Sequence, residues 1–434
     1  MERISGWGGY PTTEGQADTF RNEEELRHLL AATASVIPRG LGRSYGDSAV
    51  APYCLSTLRA DRFIAFDSGH GTLRAQAGVS LAEILRLTVP HGWFLPVTPG
   101  TAWVTLGGAV ASDVHGKNHH VEGSFCDHIT ELRVMLADGR LLRCSPSEES
   151  ELFHATCGGM GLTGVILEVT VRMRPLRSDR IDETIIKADN LEELLQLFSE
   201  HQRSTYSVAW IDCLAKGEAL GRSLLLLGEH GRDGGLSRPS QGGRLSVPFH
   251  LPGWFLNRHT VRAFNALYYQ RIRRKLVNRR VHYHPFFYPL DKVANWNRMY
   301  GRRGFLQYQV VLPRESGSEG LRTLLQRISD SELASFLAVL KLLGKGNDNY
   351  LSFPMEGYTL ALDFRHTAAT LKLFKELDAI VADHAGRLYL SKDACMERSL
   401  LEKGYPQLAA FGAVRARYGA DQKFHSLQSR RLGF

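Results

Sequence analysis

Pro38-Arg39-Gly40-Leu41-Gly42-Arg43-Ser44-Tyr45-Gly46-Asp47 follows an apolar, strand-like run and carries glycine at 40, 42 and 46. Without a Cβ these positions can take positive φ and let the main chain approach a ligand closely, with successive backbone N–H groups facing one anion. Such a stretch is a candidate phosphate cradle. Taken alone it is equally an ordinary glycine-rich turn.

Two further stretches decide between these readings. Pro99-Gly100-Thr101-Ala102-Trp103-Val104-Thr105-Leu106-Gly107-Gly108-Ala109 runs on to Asp113-Val114-His115-Gly116-Lys117-Asn118-His119-His120. Cys157-Gly158-Gly159-Met160-Gly161-Leu162-Thr163-Gly164 leads into the strand-like Val165-Ile166-Leu167-Glu168-Val169-Thr170-Val171. Three cradles fit a dinucleotide held end to end. A Rossmann site is excluded, because no Gly-x-Gly-x-x-Gly follows a strand with an acidic residue further on, and the Gly-Lys-Ser/Thr ending of a P-loop is absent. Together the loops resemble the FAD-binding domain of the vanillyl-alcohol-oxidase and para-cresol-methylhydroxylase (PCMH) superfamily over residues 5–175.

Composition narrows the class. At 434 residues, 43% hydrophobic and 23% charged, the chain has the length for two ordinary domains and the balance of a globular protein. No apolar run reaches the length of a membrane span, and the start, Met1-Glu2-Arg3-Ile4-Ser5-Gly6-Trp7-Gly8, carries no secretory pattern, so a cytoplasmic protein is expected. The six cysteines are scattered without Cys-x-x-Cys and read as structural thiols. A net charge of +8 fits an anionic partner: nucleic acid, anionic lipid or a phosphorylated substrate.

Along the first 175 residues helix and strand signals alternate. Asn22 with Glu25, Ser80 with Glu83, and Ser145 with Glu148 each predict an N-cap, with Pro146 as the first helical residue of the last. Strands are expected at 35–38, 63–66, 72–77 and 132–137, the last turning at Asp138-Gly139. Beyond Arg174-Pro175 glycine thins out, and a strand at 184–188 precedes a helix capped by Asn190 whose Leu191, Leu194, Leu195 and Phe198 share a face. Residues 231–256 read as a mobile loop, rich in Gly, Ser and Arg and then apolar around Pro248, Pro252 and Trp254. A basic, helix-like run follows, with Arg262, Arg271, Arg273, Arg274, Lys275, Arg279 and Arg280, fit for a membrane surface or a lipid phosphate. The plain alternative is a solvated helix beside a packed loop.

Over almost the whole chain the sequence is similar to the oxidase subunit family of decaprenylphosphoryl-β-D-ribose 2′-epimerase. The segments that carry this include Arg39 to Asp47, Gly107-Gly108-Ala109, His115 to His120, Tyr206-Ser207-Val208-Ala209-Trp210, Gly304-Phe305-Leu306-Gln307-Tyr308-Gln309 and Leu388-Tyr389-Leu390-Ser391-Lys392-Asp393. The resemblance implies an α+β, two-domain PCMH-type fold: an FAD-binding domain at 5–175 completed by 388–434, and a mixed α/β substrate domain at 176–387 built on an antiparallel sheet. It implies oxidation of the 2′-hydroxyl of a polyprenyl-phosphoryl ribofuranose to a ketone, with a separate NADH-dependent short-chain reductase as partner and a quinone or another electron acceptor. A peripheral contact at the inner membrane is a further expectation.

The superfamily often tethers its flavin through a His after Arg-Gly-x-Gly; Arg43 stands there, so non-covalent FAD is expected. The loops predict cofactor contacts from Arg39, Gly40, Leu41, Gly42, Arg43, Ser44 and Tyr45, and from Gly100, Thr101, Thr105, Gly107, Gly108 and Ser112. His115, Gly116, Asn118, Gly161, Gly164, Val165, Ile166 and Lys392 complete that set. Lys392 is the first candidate for holding or accepting the hydroxyl proton, with His115 and Lys117 beside it. Tyr45, Trp210, Gln309, Lys341, Phe287, Tyr288 and Thr359 are the expected substrate contacts. His119 and His120 lack a nearby acidic partner, and no metal is assigned. The pocket cysteine of mycobacterial-type members is Ala361 here, and a Tyr-His pair becomes Phe287-Tyr288. A soluble alditol or aldonolactone oxidase shares the FAD loops but commonly keeps the flavinylated His; a basic nucleic-acid-binding protein lacks any supporting motif.

Overall fold

The computed structural model describes residues 1–237, 245–252, 255–333 and 335–434. Trp254 and residues 238–244 of the expected mobile loop lie outside that set. The described part of the loop is tied down: Ser237 N–H donates to Asp179 (3.0 Å), and Leu245–Ser246 pairs in parallel with Val293–Ala294.

Glycine-rich turns leave from strand ends. Glu2–Ser5, Thr12–Thr19, Tyr53–Ser56 and Ile37–Arg39 form a four-stranded sheet in that order, so the first cradle begins where Arg39 leaves it. The third cradle enters Val165–Arg172, the middle strand of a five-stranded antiparallel sheet, flanked by Thr72–Gln76 and Ile129–Met135. Phe63–Asp67 and Leu141–Cys144 are its edges. Buried Glu168 on the middle strand is paired by Arg74 and Arg133 from the two neighbours.

The segment between 180 and 388 builds an eight-stranded sheet, ordered Leu276–His282, Arg180–Ala188, Ser223–His230, Tyr206–Ile211, Ala338–Leu343, Gly357–Arg365, Phe305–Pro313 and Arg387–Leu388. Every pairing in it is antiparallel. Helices Leu191–Glu200, Arg314–Ser331 and Ala368–Asp383 bury one stripe each, Leu191, Leu194 and Phe198 in the first.

Asn22, Ser80 and Asn190 cap as expected, each side chain accepting from the N–H three residues on. Ser145 does not. Its hydroxyl accepts from Ser147 and Glu148 within a turn, Glu149 takes φ +48, and the helix starts only at Ser150. The basic run is not one helix either: Arg258–Gln270 is helical, whereas Arg279 and Arg280 lie on the edge strand. There the register sets them opposite Glu183 and Asp182, and cross-strand ion pairs favour the strand.

The last residues return to the first loop. His425 N–H donates to Val36 O (3.0 Å), Leu427 N–H to Val50 O (2.7 Å), and Tyr45 N–H to Ser391 O (3.0 Å). Arg431 bridges two buried carboxylates, Asp47 at 2.9 Å and Asp393 at 2.8 Å. Replacing Arg431 by Met leaves both carboxylates buried without their cation, which costs roughly 3–5 kcal/mol when one partner of a buried pair is lost. Chemical denaturation of Arg431→Met at neutral pH is expected to show a loss of that size.

Candidate active site

The three cradles close on one cavity of about 770 Å³. Arg39 does not point its charge at a ligand; its guanidinium donates to Ala49 O and Ser5 O, both at 2.7 Å, and pins the base of the first loop. Gly42 follows with φ +63, and a Cβ on Gly40 would stand 2.2 Å from Thr105 Oγ1. Glycine at these two places lets the first and second loops press together while their backbones line the cavity. Thr105 caps Leu106–Ala111 by accepting from Gly108 N–H at 3.2 Å. Arg43 Nε donates to Trp103 O (3.2 Å) and its guanidinium lies 4.1 Å over the Trp7 ring, so no nucleophilic side chain stands at that position.

One end of the cavity is apolar and carries Val208, Trp210, Phe286, Phe287, Val339 and Ala361. No cysteine is among the lining residues. The same cavity is lined by Tyr45, His115, Lys117, Gln309, Lys341 and Lys392, with Gln309 beside Ala361 in the strand register. Lys392 Nζ lies 3.8 Å over the Tyr45 ring. Lys117 Nζ lies 4.2 Å over Phe286 and donates to the Phe286 carbonyl, while its own carbonyl accepts from Ser207 N–H at 2.8 Å. Gln309 Nε2 donates to His115 Nε2 (3.0 Å) and Thr359 Oγ1 (3.3 Å), which leaves His115 neutral with its proton on Nδ1. That Nδ1 is buried without a partner among the described residues.

Of the expected contacts, Asn118, Val165, Tyr288 and Thr359 do not line the cavity. Asn118 is spent behind the loop, donating to Pro96 O at 2.8 Å. Val165 turns to the opposite face of its strand and packs with Phe20, Leu26 and Met135. Tyr288 is sealed, its hydroxyl 2.6 Å from Thr98 Oγ1. Thr359 supports Gln309 from behind. His119 and His120 are occupied by Ser124, Gly344 N–H and Ser204 O.

Sequence reasoning passed over Gln307, Asp363, Glu183 and Asp291. Gln307 lies two before Gln309, the strand spacing that puts both on one face, so the signal was present. Its Nε2 donates to Asp363 Oδ1 at 2.5 Å, and Asp363 Oδ2 is buried without a hydrogen-bond partner among the described residues. Asp291 clamps the second loop through Thr101 Oγ1 (2.6 Å) and Ala102 N–H (2.9 Å). Only the fold brings Glu183 and Asp291 to the cavity and buries Asp363 near Lys392, and nothing local marks them.

Burial dominates the electrostatics. It pushes Lys117 down to about 7, against the pull of Glu183 and with Lys341 adding to the effect, and Lys341 down to about 8. Lys392 is lowered too, by burial first, with Asp363 opposing and Lys341 assisting. Burial raises the Asp363 carboxyl and, with Lys341, His119 and Lys392 nearby, holds His115 well below its ordinary value. His115 is therefore a hydrogen-bonding group at neutral pH, whereas the lysines and the Asp363 carboxyl, raised to about 7, titrate near it.

A lysine whose folded pKa lies below its unfolded 10.5 binds fewer protons in the native state, so stability rises with pH from the folded value upward. The flavin-free protein is expected to gain up to about 1 kcal/mol per buried lysine between pH 7.5 and 8.5. Urea denaturation at the two pH values checks this, and Lys341→Met is expected to flatten the slope.

Residues 18–145 match the FAD binding domain family model. The chain is 35% identical to decaprenylphosphoryl-beta-D-ribose oxidase of Mycolicibacterium smegmatis, covering 99% of this chain and 97% of that one. It is 33% identical to an uncharacterised protein of Streptomyces coelicolor over 82% of this chain and 100% of that one. A putative D-arabinono-1,4-lactone oxidase of Neurospora crassa is 29% identical over only 35% of this chain and 28% of its own length. With the glycine cradles, the buried lysines and the apolar wall assembled on one cavity, the likeness along the full chain settles the grouping: this protein belongs to the decaprenylphosphoryl-β-D-ribose oxidase family of FAD-dependent enzymes.

Proposed function

We propose that the protein oxidises the 2′-hydroxyl of a polyprenyl-phosphoryl ribofuranose to the 2′-ketone, the first half of an epimerisation to the arabinose form for cell-envelope or glycan arabinosylation. The observation that carries this reading is the likeness, over 99% of the chain, to a protein named for oxidising decaprenylphosphoryl ribose. The cavity supports it, since cationic groups suit a phosphorylated substrate and an apolar wall suits a sugar face.

In this reading residues 5–175 with 388–434 form the cofactor domain and 176–387 the substrate domain. The glycine loops at 39–45, 100–116 and 161–166 fit FAD because side chains at Gly40 and Gly42 would fill the cradle or strain it. When bound, FAD supplies the two-electron acceptor for the carbinol C–H. Lys392, part neutral through burial, accepts the hydroxyl proton at Nζ and becomes the ammonium. Tyr45 steadies that Nζ through its ring face. Lys341 and Lys117 bring positive charge to the oxygen as it loses its proton. His115 and Gln309 hold the sugar by hydrogen bonds, and Trp210, Phe287 and Ala361 bound it sterically.

The ketone product calls for a reductase acting in tandem, of the NADH-dependent short-chain class, and a quinone or another acceptor for the reduced cofactor. No helix among the described residues is long and apolar enough to cross a membrane. Exposed Leu245 and Phe249 offer a peripheral contact with the inner membrane from the cytoplasmic side.

Anaerobic stopped-flow absorbance tests the reading. Flavin bleaching by polyprenyl-phosphoryl ribose, and none by ribitol or a free aldonolactone, is expected; bleaching by the free compounds alone would move the protein to the soluble oxidases. Lys392→Met is expected to retain flavin and slow bleaching by roughly 10²–10⁴-fold, the range for loss of a positioned general base. Acid denaturation is expected to release all yellow colour from the precipitate, because the Arg43 guanidinium forms no flavin bond.

A further inference from the structure

Helix Arg258–Gln270 turns Val261 and Asn265 inward. Phe264, Leu267 and Tyr268, with Arg271 just past its end, stand at i, i+3, i+4 and i+7, hence on one face. Phe264 is 42% exposed and Leu267 70%, whereas Tyr268 and Arg271 line the rim of the cavity. The rings form a row: Phe264 stacks on Tyr268 at 5.7 Å, and Tyr268 lies 4.7 Å from Trp210, which is 6% exposed and belongs to the cavity wall. An apolar stripe thus runs without interruption from solvent to the site.

Arg271 ends the stripe. Its guanidinium lies 3.7 Å over the Tyr268 ring. Lys275, Arg279 and Arg280 are each paired with carboxylates, but no carboxylate lies within ion-pair reach of Arg271 among the described residues. Stacking on a ring leaves the guanidinium edge, with its fork of N–H donors, directed away from the ring face and open to an anion.

We propose that this helix face carries the isoprenoid chain of the substrate and that Arg271 seats its phosphodiester at the cavity rim. The proposal rests on the polyprenyl-phosphoryl reading above and adds the subsite that distinguishes lipid-linked from free sugar. The order along the face matches the order of the ligand: apolar chain over Phe264 and Leu267, one negative charge at Arg271, sugar beyond Trp210. From Phe264 to Arg271 the helix rises about 10 Å, enough for the proximal part of a chain. A bilayer would meet only the exposed end of the row, whereas the row continues inward to the cavity wall.

The test is calorimetric binding of farnesyl phosphate, with inorganic phosphate as control, to the FAD-loaded full chain and two variants. Leu267→Gln is expected to weaken farnesyl phosphate about tenfold, the effect of removing one apolar side chain from the contact, and to leave phosphate unchanged, since it adds no charge beside Arg271. Arg271→Gln is expected to weaken both ligands. Leu267 makes no core contact to lose, so the first variant keeps the fold. Farnesyl phosphate affinity unchanged in both variants would overturn the proposal. It would equally fall if Leu267→Gln reduced only sedimentation with phosphatidylglycerol vesicles, which would make the face a membrane contact. Variant-sensitive binding without flavin bleaching by any lipid-linked ribose would sink the oxidase reading and leave the chain subsite standing.

Discussion

The site depends on Arg431. Its guanidinium stands between Asp47, which closes the first glycine loop, and Asp393, the neighbour of Lys392. Gln428 on the same terminal helix donates to Leu390 O at 2.7 Å, and Tyr45 N–H donates to Ser391 O at 3.0 Å. These bonds set a lysine from the end of the chain over a tyrosine from its beginning. Burial raises the Asp47 carboxyl, with Asp393 adding to it, and the Arg431 charge opposes that shift, so the two carboxylates are tolerable only with the cation between them.

That placement has an electrostatic cost. Lys117, Lys341 and Lys392 share a low-dielectric cavity with Glu183, with Asp363 buried near Lys392, and burial drives each lysine toward its neutral form. A fold under selection for stability alone would not gather them, since each ammonium loses hydration and gains like-charged neighbours. Lysines poised near neutrality inside a cavity are instead suited to taking a proton. Burial holds His115 well below its ordinary value, and its contact with Gln309 makes it a fixed polar surface.

The cofactor half was legible because its signals are local. Glycine spacing located the cradles, and the caps at Asn22, Ser80 and Asn190 read correctly because each is a bond within one turn. Ser145 misled for the same reason: a serine three before a glutamate satisfies a tight turn as well as a helix, and Glu149 at positive φ decides for the turn. The basic run failed at a longer range, since only the register with Glu183 and Asp182 makes Arg279 and Arg280 strand residues. Val165 and Ile166 show the limit within a strand. Both were expected at the cofactor, but neighbours point to opposite faces and only Ile166 lines the cavity.

The residues around the cavity stand in two layers. Thr359 stands behind Gln309 and Tyr288 behind Thr98, so changes there alter supports and not the cavity surface. Phe287 and Ala361 do reach the surface, and both are apolar, bearing on the width of the wall. Thr359 is the strand partner of Lys341, and Lys117 Nζ lies 5.9 Å from the Phe287 ring. The lysines and the apolar wall are thus built in part from the same elements: Lys341 shares the large sheet with Gln309 and Ala361, and Lys117 shares its surroundings with Phe286 and Phe287. A change in the width of that wall therefore also reaches the surroundings that set the proton affinity of Lys117 and Lys341.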